Sequence, residues 1–377
     1  MRRTNRSTLL IAILTILSVM AVPLAAQESA PESIDVVIAL DVSGTMKGLI
    51  DSARLKLWEI VNDLADVEPA PRLRVGLITF GNQSPGTQQD GWVRVETDLT
   101  EDLDLLSARL FSLRSRGAQE NLGRVLQMAI QRLSWSDSEN AVKLLFVAGN
   151  EAADQDRLVR FREMSALARE QGILVSAIFC GRPTDPAAAT WKEMAELSAG
   201  EFHSIDHNKA VVVIETPFDE QLARLGDELN NTYVPARSGA IDHKRNQAKQ
   251  DRNASALNKA VAASRAQTKA SRLYQTDWDF VDAVESGKLD LSNLDESQLS
   301  SKLQRMSTDE RLIYFEDLRN RREQIGLLIG DLAAERRQFI SDQAQKRGLD
   351  QSRAFDSALR RTLRTQAEEQ GFSFPTD

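Results

Sequence analysis

The chain has 377 residues, of which 42% are hydrophobic and 27% are charged. This composition is ordinary for a folded globular protein and excludes collagen-like or wholly disordered sequence. The formal net charge of −8 argues against a general polyanion binder, such as a nonspecific nucleic-acid-binding protein. A single cysteine excludes an internal disulfide and a cysteine-rich zinc site.

The first residues have the pattern of a secretory signal peptide. Three arginines at positions 2, 3 and 6 precede an uncharged run over 9–26 that ends in small residues. We therefore predict a signal peptide over 1–26, a short linker over 27–33, and export to the periplasm or the extracellular space. The alternative is an uncleaved helix that anchors the protein in the inner membrane, since the run has about the minimum length of a span.

Strand and helix patterns alternate over 34–237. Apolar runs predict buried strands at 34–40, 73–80, 142–147 and 173–180, and the alternating segment 92–97 predicts a half-exposed edge strand. Amphipathic segments predict helices at 47–64, 101–113, 121–133, 157–171 and 187–198. This alternation predicts an α/β fold: a doubly wound, mostly parallel sheet with helices on both faces.

Asp41, Ser43 and Thr45 follow the first predicted strand directly, at the point where a helix begins. In a doubly wound sheet ligands bind outside the carboxyl ends of the strands. An extended turn places alternate side chains on one side, and a carboxylate with two hydroxyls suits a hard divalent cation such as Mg²⁺. The alternative is a turn that only caps the helix, because Asp, Ser and Thr are also the common capping residues.

The Asp41-Val-Ser-Gly-Thr45 motif, in this alternation, resembles the von Willebrand factor type A domain over roughly 34–234. The resemblance implies a metal-ion-dependent adhesion site with Mg²⁺, or alternatively Mn²⁺ or Ca²⁺. It also implies a protein partner that completes the ion's coordination with an acidic side chain, while the net charge of −8 argues against a nucleic-acid partner.

The sequence departs from the family motif at the two further loops of that site. A threonine is expected before the third helix, where Glu120 stands, and an aspartate is expected after the strand at 142–147. Gly149, Asn150 or Glu151 occupies the second position, depending on the register. Glu120 could restore a negative ligand and Asn150 could offer a carbonyl oxygen. The alternative is a decayed site that binds no metal.

The remaining residues predict an all-helical C-terminal extension. In its length and helix-only pattern, it resembles the C-terminal extensions of exported bacterial proteins of the type A family. Eight Lys or Arg between 239 and 272 predict a basic, polar connector over 238–272, either an exposed helix or a flexible segment. Residues 273–377 predict a helical region. Within it, a seam of apolar residues and two arginines recurs at three- and four-residue steps, at positions 315, 318, 322, 325, 329, 332, 336 and 339. This seam predicts either packing against the rest of the chain or a dimeric coiled coil.

These patterns favour a binding protein over an enzyme. The sequence has no phosphate-binding Gly-x-x-x-x-Gly-Lys-Ser/Thr loop and no Gly-x-Ser-x-Gly turn, so a hydrolase is the minority interpretation. The leading hypothesis is an exported, non-enzymatic protein-binding module with a partly degenerate metal site formed by Asp41, Ser43, Thr45, Glu120 and Asn150. The alternative is an envelope scaffolding protein that acts through its C-terminal helices, with a vestigial metal site.

Overall fold

We analysed a computed structural model of the whole chain. The structure describes residues 33–83, 88–117, 119–138, 140–206, 212–291, 295–348 and 355–374. The predicted signal peptide over 1–26 and almost all of the predicted linker over 27–33 lie outside the described residues.

A mixed sheet forms the centre of the fold, in the order β3-β2-β1-β4-β5-β6. Its strands are β1 (Ser33–Asp41), β2 (Arg72–Phe80), β3 (Arg94–Thr100), β4 (Ala141–Gly149), β5 (Ile173–Cys180) and β6 (Phe202–Ile205). All neighbouring pairs are parallel except β2 and β3. The antiparallel strand β3 lies at the edge, where its alternating pattern placed it. The doubly wound fold predicted from the sequence is confirmed.

Helices cover both faces of the sheet, which explains why the central strands are apolar throughout. The helices of the first two thirds of the chain are α1 (Lys47–Ala65), α2 (Leu103–Ser112), α3 (Leu122–Arg132), α4 (Phe161–Glu170), α5 (Ala188–Leu197) and α6 (Asp219–Asn230). Helices α3, α4 and α5 bury their apolar faces on one side of the sheet, and α1 and α2 on the other.

The last third of the chain is helical, as predicted. Its helices are α7 (Ile241–Leu257), α8 (Lys259–Ala270), α9 (Phe280–Glu285), α10 (Ser301–Gln304), α11 (Thr308–Lys346) and α12 (Phe355–Glu369), with short 3₁₀ turns at Ser238–Ala240 and Glu296–Gln298. In the part of the chain that the structure describes, no helix is both long enough and apolar enough to cross a membrane.

The predicted exposed connector over 238–272 is wrong for its second helix: α8 is buried, whereas most residues of α7 are exposed or partly exposed. Helix α8 packs on α1 and α6, and Arg265 is only 1% exposed. The Arg265 guanidinium lies on the Trp58 ring and forms ion pairs with Asp104, at 2.8 Å, and with Asp251. In the sequence these basic residues have the pattern of surface residues. In the fold, acids from other segments pair with Arg265 and offset the cost of burying its charge.

The heptad seam of α11 packs against its own chain, which is one of the two alternatives that the sequence left open. Helix α11 contacts α6, α8 and α9. The two arginines that interrupt the seam each meet acids there: Arg322 pairs with Asp279 and Asp282, and Arg336 pairs with Asp219 at 2.7 Å. These pairs explain polar residues at seam positions without a second chain.

Helix α12 completes the helical layer on the α1 side of the sheet. It packs against α1, β4 and β5, and its residues Phe355, Leu359 and Leu363 are buried. The Thr362 hydroxyl lies 2.8 Å from Nε2 of His203 on β6. The last helix of the chain is thus part of the sheet's own core, although almost 150 residues separate it from β6.

A cavity of about 860 Å³ lies between the sheet and the C-terminal helices, at the edge where β2 begins. Three ion pairs contribute to its wall: Arg72 with Glu101, Arg74 with Asp35, and Lys288 with Asp277. It is separated from the carboxyl ends of β1 and β4 by the length of the strands.

Leu359→Ala should lower the free energy of unfolding by about 3 kcal/mol, because a fully buried leucine leaves a cavity when it is truncated. Urea unfolding followed by circular dichroism measures this change. Leu312→Ala is the control, since Leu312 on α11 is 50% exposed and its truncation should cost less than about 0.5 kcal/mol. Equal, small effects would show that α12 is not part of the core.

Candidate metal centre

Parallel pairing brings the predicted site residues to one edge of the sheet. Asp41 is the last residue of β1, and β4, its neighbour in the sheet, ends at Gly149, just before Asn150. Ser43 and Thr45 lie in the turn that leads into α1, and Glu120 lies just before α3.

Asp41 is completely buried. Its Oδ1 accepts a hydrogen bond from the backbone N–H of Ser43 at 2.7 Å, and the Ser43 hydroxyl lies close enough to this carboxylate to lower its pKa. Its Oδ2 is buried and accepts no hydrogen bond from an amine, amide or hydroxyl group. One oxygen of the carboxylate is therefore held in place by the turn, while the other has no N–H or hydroxyl group as a donor.

Glycines allow the loops to approach Asp41 this closely. Gly81 has a φ of 84°, and a Cβ there would lie 2.8 Å from Oδ1 of Asp41. Gly117 has a φ of 103°, and a Cβ there would lie 2.2 Å from the carbonyl oxygen of Gly81. The Gly117 carbonyl in turn accepts the N–H of Gly44 at 3.0 Å. Gly81 was missed in the sequence, where only its position directly after a predicted strand could have indicated it.

Glu120 lies against Asp41. It is 1% exposed, its Oε2 accepts the backbone N–H of Glu151 at 3.3 Å, and its carboxyl group is within hydrogen-bonding reach of the Asp41 carboxyl. Burial raises the pKa of Glu120 to about 10, and the hydrogen bond and negative charge of Asp41 add to this rise. Burial also raises the pKa of Asp41, although its hydrogen bonds with Glu120 and Ser43 oppose that rise.

No basic side chain balances these two acids. Among the described residues, no Lys, Arg or His forms an ion pair with Asp41 or Glu120. The neighbouring charge is instead that of Glu151, which repels both carboxylates. Without a metal, one proton shared between Asp41 and Glu120 therefore keeps the pair from carrying two buried negative charges.

Asn150 and Thr45 lie at the border of this group. Oδ1 of Asn150 is buried and accepts no hydrogen bond, although the residue as a whole is partly exposed. Thr45 is exposed on the turn. Gly149, one residue earlier, packs against Asp41, and a Cβ there would lie 3.2 Å from the Cβ of Asp41. The structure thus brings Asp41, Ser43 and Glu120 together, and Asn150 directly follows Gly149, which packs against Asp41. Among the described residues, Thr45 forms no hydrogen bond with this group.

The donor set fits a hard cation. Two carboxyl groups, two hydroxyls and an amide carbonyl are all oxygen ligands, and two of these oxygens are buried without a donor. A cluster of three or more His, Cys, Asp or Glu side chains that could hold a metal is not found in the described residues, so hydroxyl or amide oxygens would have to contribute.

Cys180, at the end of β5, is buried, and this burial raises the pKa of its thiol.

Glu120→Gln should stabilise the metal-free protein more at high pH than at low pH. The folded pKa of Glu120, about 10, exceeds its ordinary value of 4.5, so the native state holds this proton more tightly than the unfolded state. The free energy of unfolding therefore falls as pH rises between these values, and glutamine removes that loss. The measurement is the thermal midpoint of both proteins in EDTA, from about pH 5 to about pH 9. A difference between the two proteins that does not grow with pH would contradict the assignment.

Solved structures to which the chain is similar include proximal thread matrix protein 1 (PTMP1) from the mussel byssus, in a structure with a zinc-occupied MIDAS motif. It is 14% identical, with a TM-score of 0.36, and the match covers 48% of this chain and 43% of that one. This chain thus matches less than half the length of PTMP1. The SpRpn10 VWA domain is 15% identical, with a TM-score of 0.35, and the match covers 48% of this chain and all of that one.

No curated protein matches the chain. The family model of the von Willebrand factor type A domain matches residues 35–215, which contain the whole sheet and all five candidate ligands. Residues 35–215 of this chain therefore belong to the von Willebrand factor type A domain family.

Proposed function

We propose that the protein is a non-enzymatic binding module that recognises a protein partner through a divalent cation. Domains of this family generally mediate protein–protein interaction. Asp41, Ser43, Thr45, Glu120 and Asn150 would hold the cation, with Mg²⁺ as the leading candidate and Mn²⁺ or Ca²⁺ as alternatives. An acidic side chain of the partner would complete its coordination.

One observation carries this proposal: the Asp41 and Glu120 carboxyl groups are buried in contact with each other and have no basic partner. Buried charges in proteins are paired with an opposite charge or coordinate a metal. A divalent cation between these groups would balance both charges and would also give Oδ2 of Asp41 and Oδ1 of Asn150 the partner that they lack. The same pair favours a working site over a decayed one, because a buried carboxyl at position 120, where the family has a threonine, is costly unless a cation balances its charge.

The chain's own residues would each contribute a separate effect. Ser43 orients Asp41 through its backbone N–H, which bonds to Oδ1 and leaves Oδ2 available. Glu151 positions Glu120 through its backbone N–H. The bound cation would act as a Lewis acid toward an oxygen of the partner.

We also propose that the protein is exported, because of the signal-peptide pattern over 1–26. The alternative of an inner-membrane anchor over the same residues leads to the same compartment for the binding module. A mature N-terminus at Gln27, determined by mass spectrometry, would support cleavage, and a retained Met1 would support the anchor.

A second candidate function is envelope scaffolding through the C-terminal helices. It is favoured by large apolar side chains on the outer side of α11: Ile313 is 70% exposed and Leu327 is 67% exposed. Scaffolding through this surface predicts that Ile313→Ser/Leu327→Ser loses a partner captured from envelope extract, whereas EDTA does not affect the capture. Loss with EDTA and retention in the double variant would instead support the metal-dependent function.

Asp41→Ala should abolish stabilisation of the protein by Mg²⁺. A cation that binds only the folded state should raise the free energy of unfolding by ~2.7 kcal/mol at a hundred times its dissociation constant. Calorimetric unfolding with and without Mg²⁺, Mn²⁺, Ca²⁺ or Zn²⁺ measures this, with zinc included because of the PTMP1 structure. Asp51→Ala is the matched control, since Asp51 lies on α1, is partly exposed and pairs with Lys47. If none of the four cations stabilises the unaltered protein, the metal-dependent function is wrong.

A further inference from the structure

Three acidic side chains surround the candidate site, and their negative charge would oppose the approach of an acidic partner. Asp41 and Glu120 together would neutralise a divalent cation, and the exposed Glu151 adds a third negative charge that acts on both. The ion alone would therefore leave this edge of the sheet with no net positive charge to attract a carboxylate. An acidic partner needs a further cationic group beside the ion.

Arg116 is the candidate for such a group, because its backbone lies next to the turn that carries Asp41 and Ser43. Its backbone N–H donates to the carbonyl of Val42 at 2.8 Å, and Val42 lies between Asp41 and Ser43. The next residue, Gly117, accepts the N–H of Gly44 at 3.0 Å. These two bonds fix the backbone of Arg116 alongside the metal-binding turn.

The Arg116 side chain is exposed, and within the described residues its guanidinium forms no ion pair and no hydrogen bond. Arg114, two residues earlier, is different: its guanidinium donates to the carbonyls of Phe111, at 3.3 Å, and Leu113, at 2.8 Å. Both arginines are exposed on the same loop, but the Arg114 guanidinium is hydrogen-bonded to nearby backbone carbonyls, whereas the N–H donors of Arg116 are available to a ligand.

We infer that Arg116 is the residue that binds the partner's carboxylate next to the ion, and so gives the site its preference for acidic partners. This rests on the proposed metal-dependent function. A guanidinium presents two parallel N–H donors to a carboxylate, a geometry that a single ion does not supply. Asp41 and Glu120 hold the cation, whereas Arg116 selects the charge of what approaches it.

The test measures binding of a tri-glutamate peptide to the Mg²⁺-loaded full-length protein, with tri-glutamine as the neutral comparison. Arg116→Gln should weaken tri-glutamate binding by about tenfold, and Arg116→Lys, which keeps the charge, should lose less. Neither substitution should weaken Mg²⁺ binding, because Arg116 is not a ligand and its backbone bond to Val42 does not depend on its side chain. Isothermal titration of Mg²⁺ and thermal midpoints check this for each variant.

Arg114→Gln is the matched control and should bind tri-glutamate as the unaltered protein does. Unchanged tri-glutamate affinity in Arg116→Gln, or an equal loss in Arg114→Gln, would overturn the role of Arg116. If the unaltered protein still binds Mg²⁺ in that case, the proposed metal-dependent function is unaffected. If the unaltered protein takes up no cation, the proposed function fails, and the assignment of Arg116 fails with it.

Discussion

The contact between two buried carboxyl groups, Asp41 and Glu120, is the constraint on which the candidate site depends. Burying two like charges in contact costs more than a folded protein can usually supply, so the pair must hold a proton or a cation. The raised pKa of Glu120 describes the first state, and the proposed metal site is the second. The proton and the cation would bind the same carboxyl oxygens, so only one of them can occupy the site at a time. Any occupant of the site must therefore carry positive charge.

Elsewhere the chain buries charge in a different way. Arg265 lies between Asp104 and Asp251, Arg336 meets Asp219, and Arg322 meets Asp279 and Asp282. In each case a helix of the C-terminal region brings a guanidinium to acids from another segment. Opposite charges in contact offset much of their desolvation cost. Against this background the Asp41–Glu120 pair is an exception within the same protein, and its unbalanced charge is better explained by a ligand than by tolerance of poor packing.

The sheet could be predicted from the sequence because strands buried on both faces leave continuous apolar runs. The candidate metal-binding turn could be singled out because three oxygen-bearing residues alternate within five positions. Glu120 was placed in the site only through the family resemblance, and its contact with Asp41 depends on how two loops fold. The burial of α8 could not be predicted, because Arg265 and Lys269 look like surface residues until Asp104, about 160 residues earlier, is known to face them. The position of α12 was hidden for the same reason: local pattern indicates a helix, and only the tertiary fold decides which surface it covers.

The place of α12 also affects how the two candidate functions can be separated. Because α12 packs on β4 and β5, and β4 ends at Gly149 beside Asp41, the C-terminal region supports the strand that carries one side of the metal site. Removing the helices would therefore expose the sheet and also disturb the candidate site. Loss of partner binding after truncation would then not distinguish scaffolding from the metal-dependent function. Single side chains distinguish them, since Arg116 and the exposed residues of α11 lie on the surface, where substitution leaves the core intact. The helical region is structurally part of the same core as the sheet that carries the candidate site.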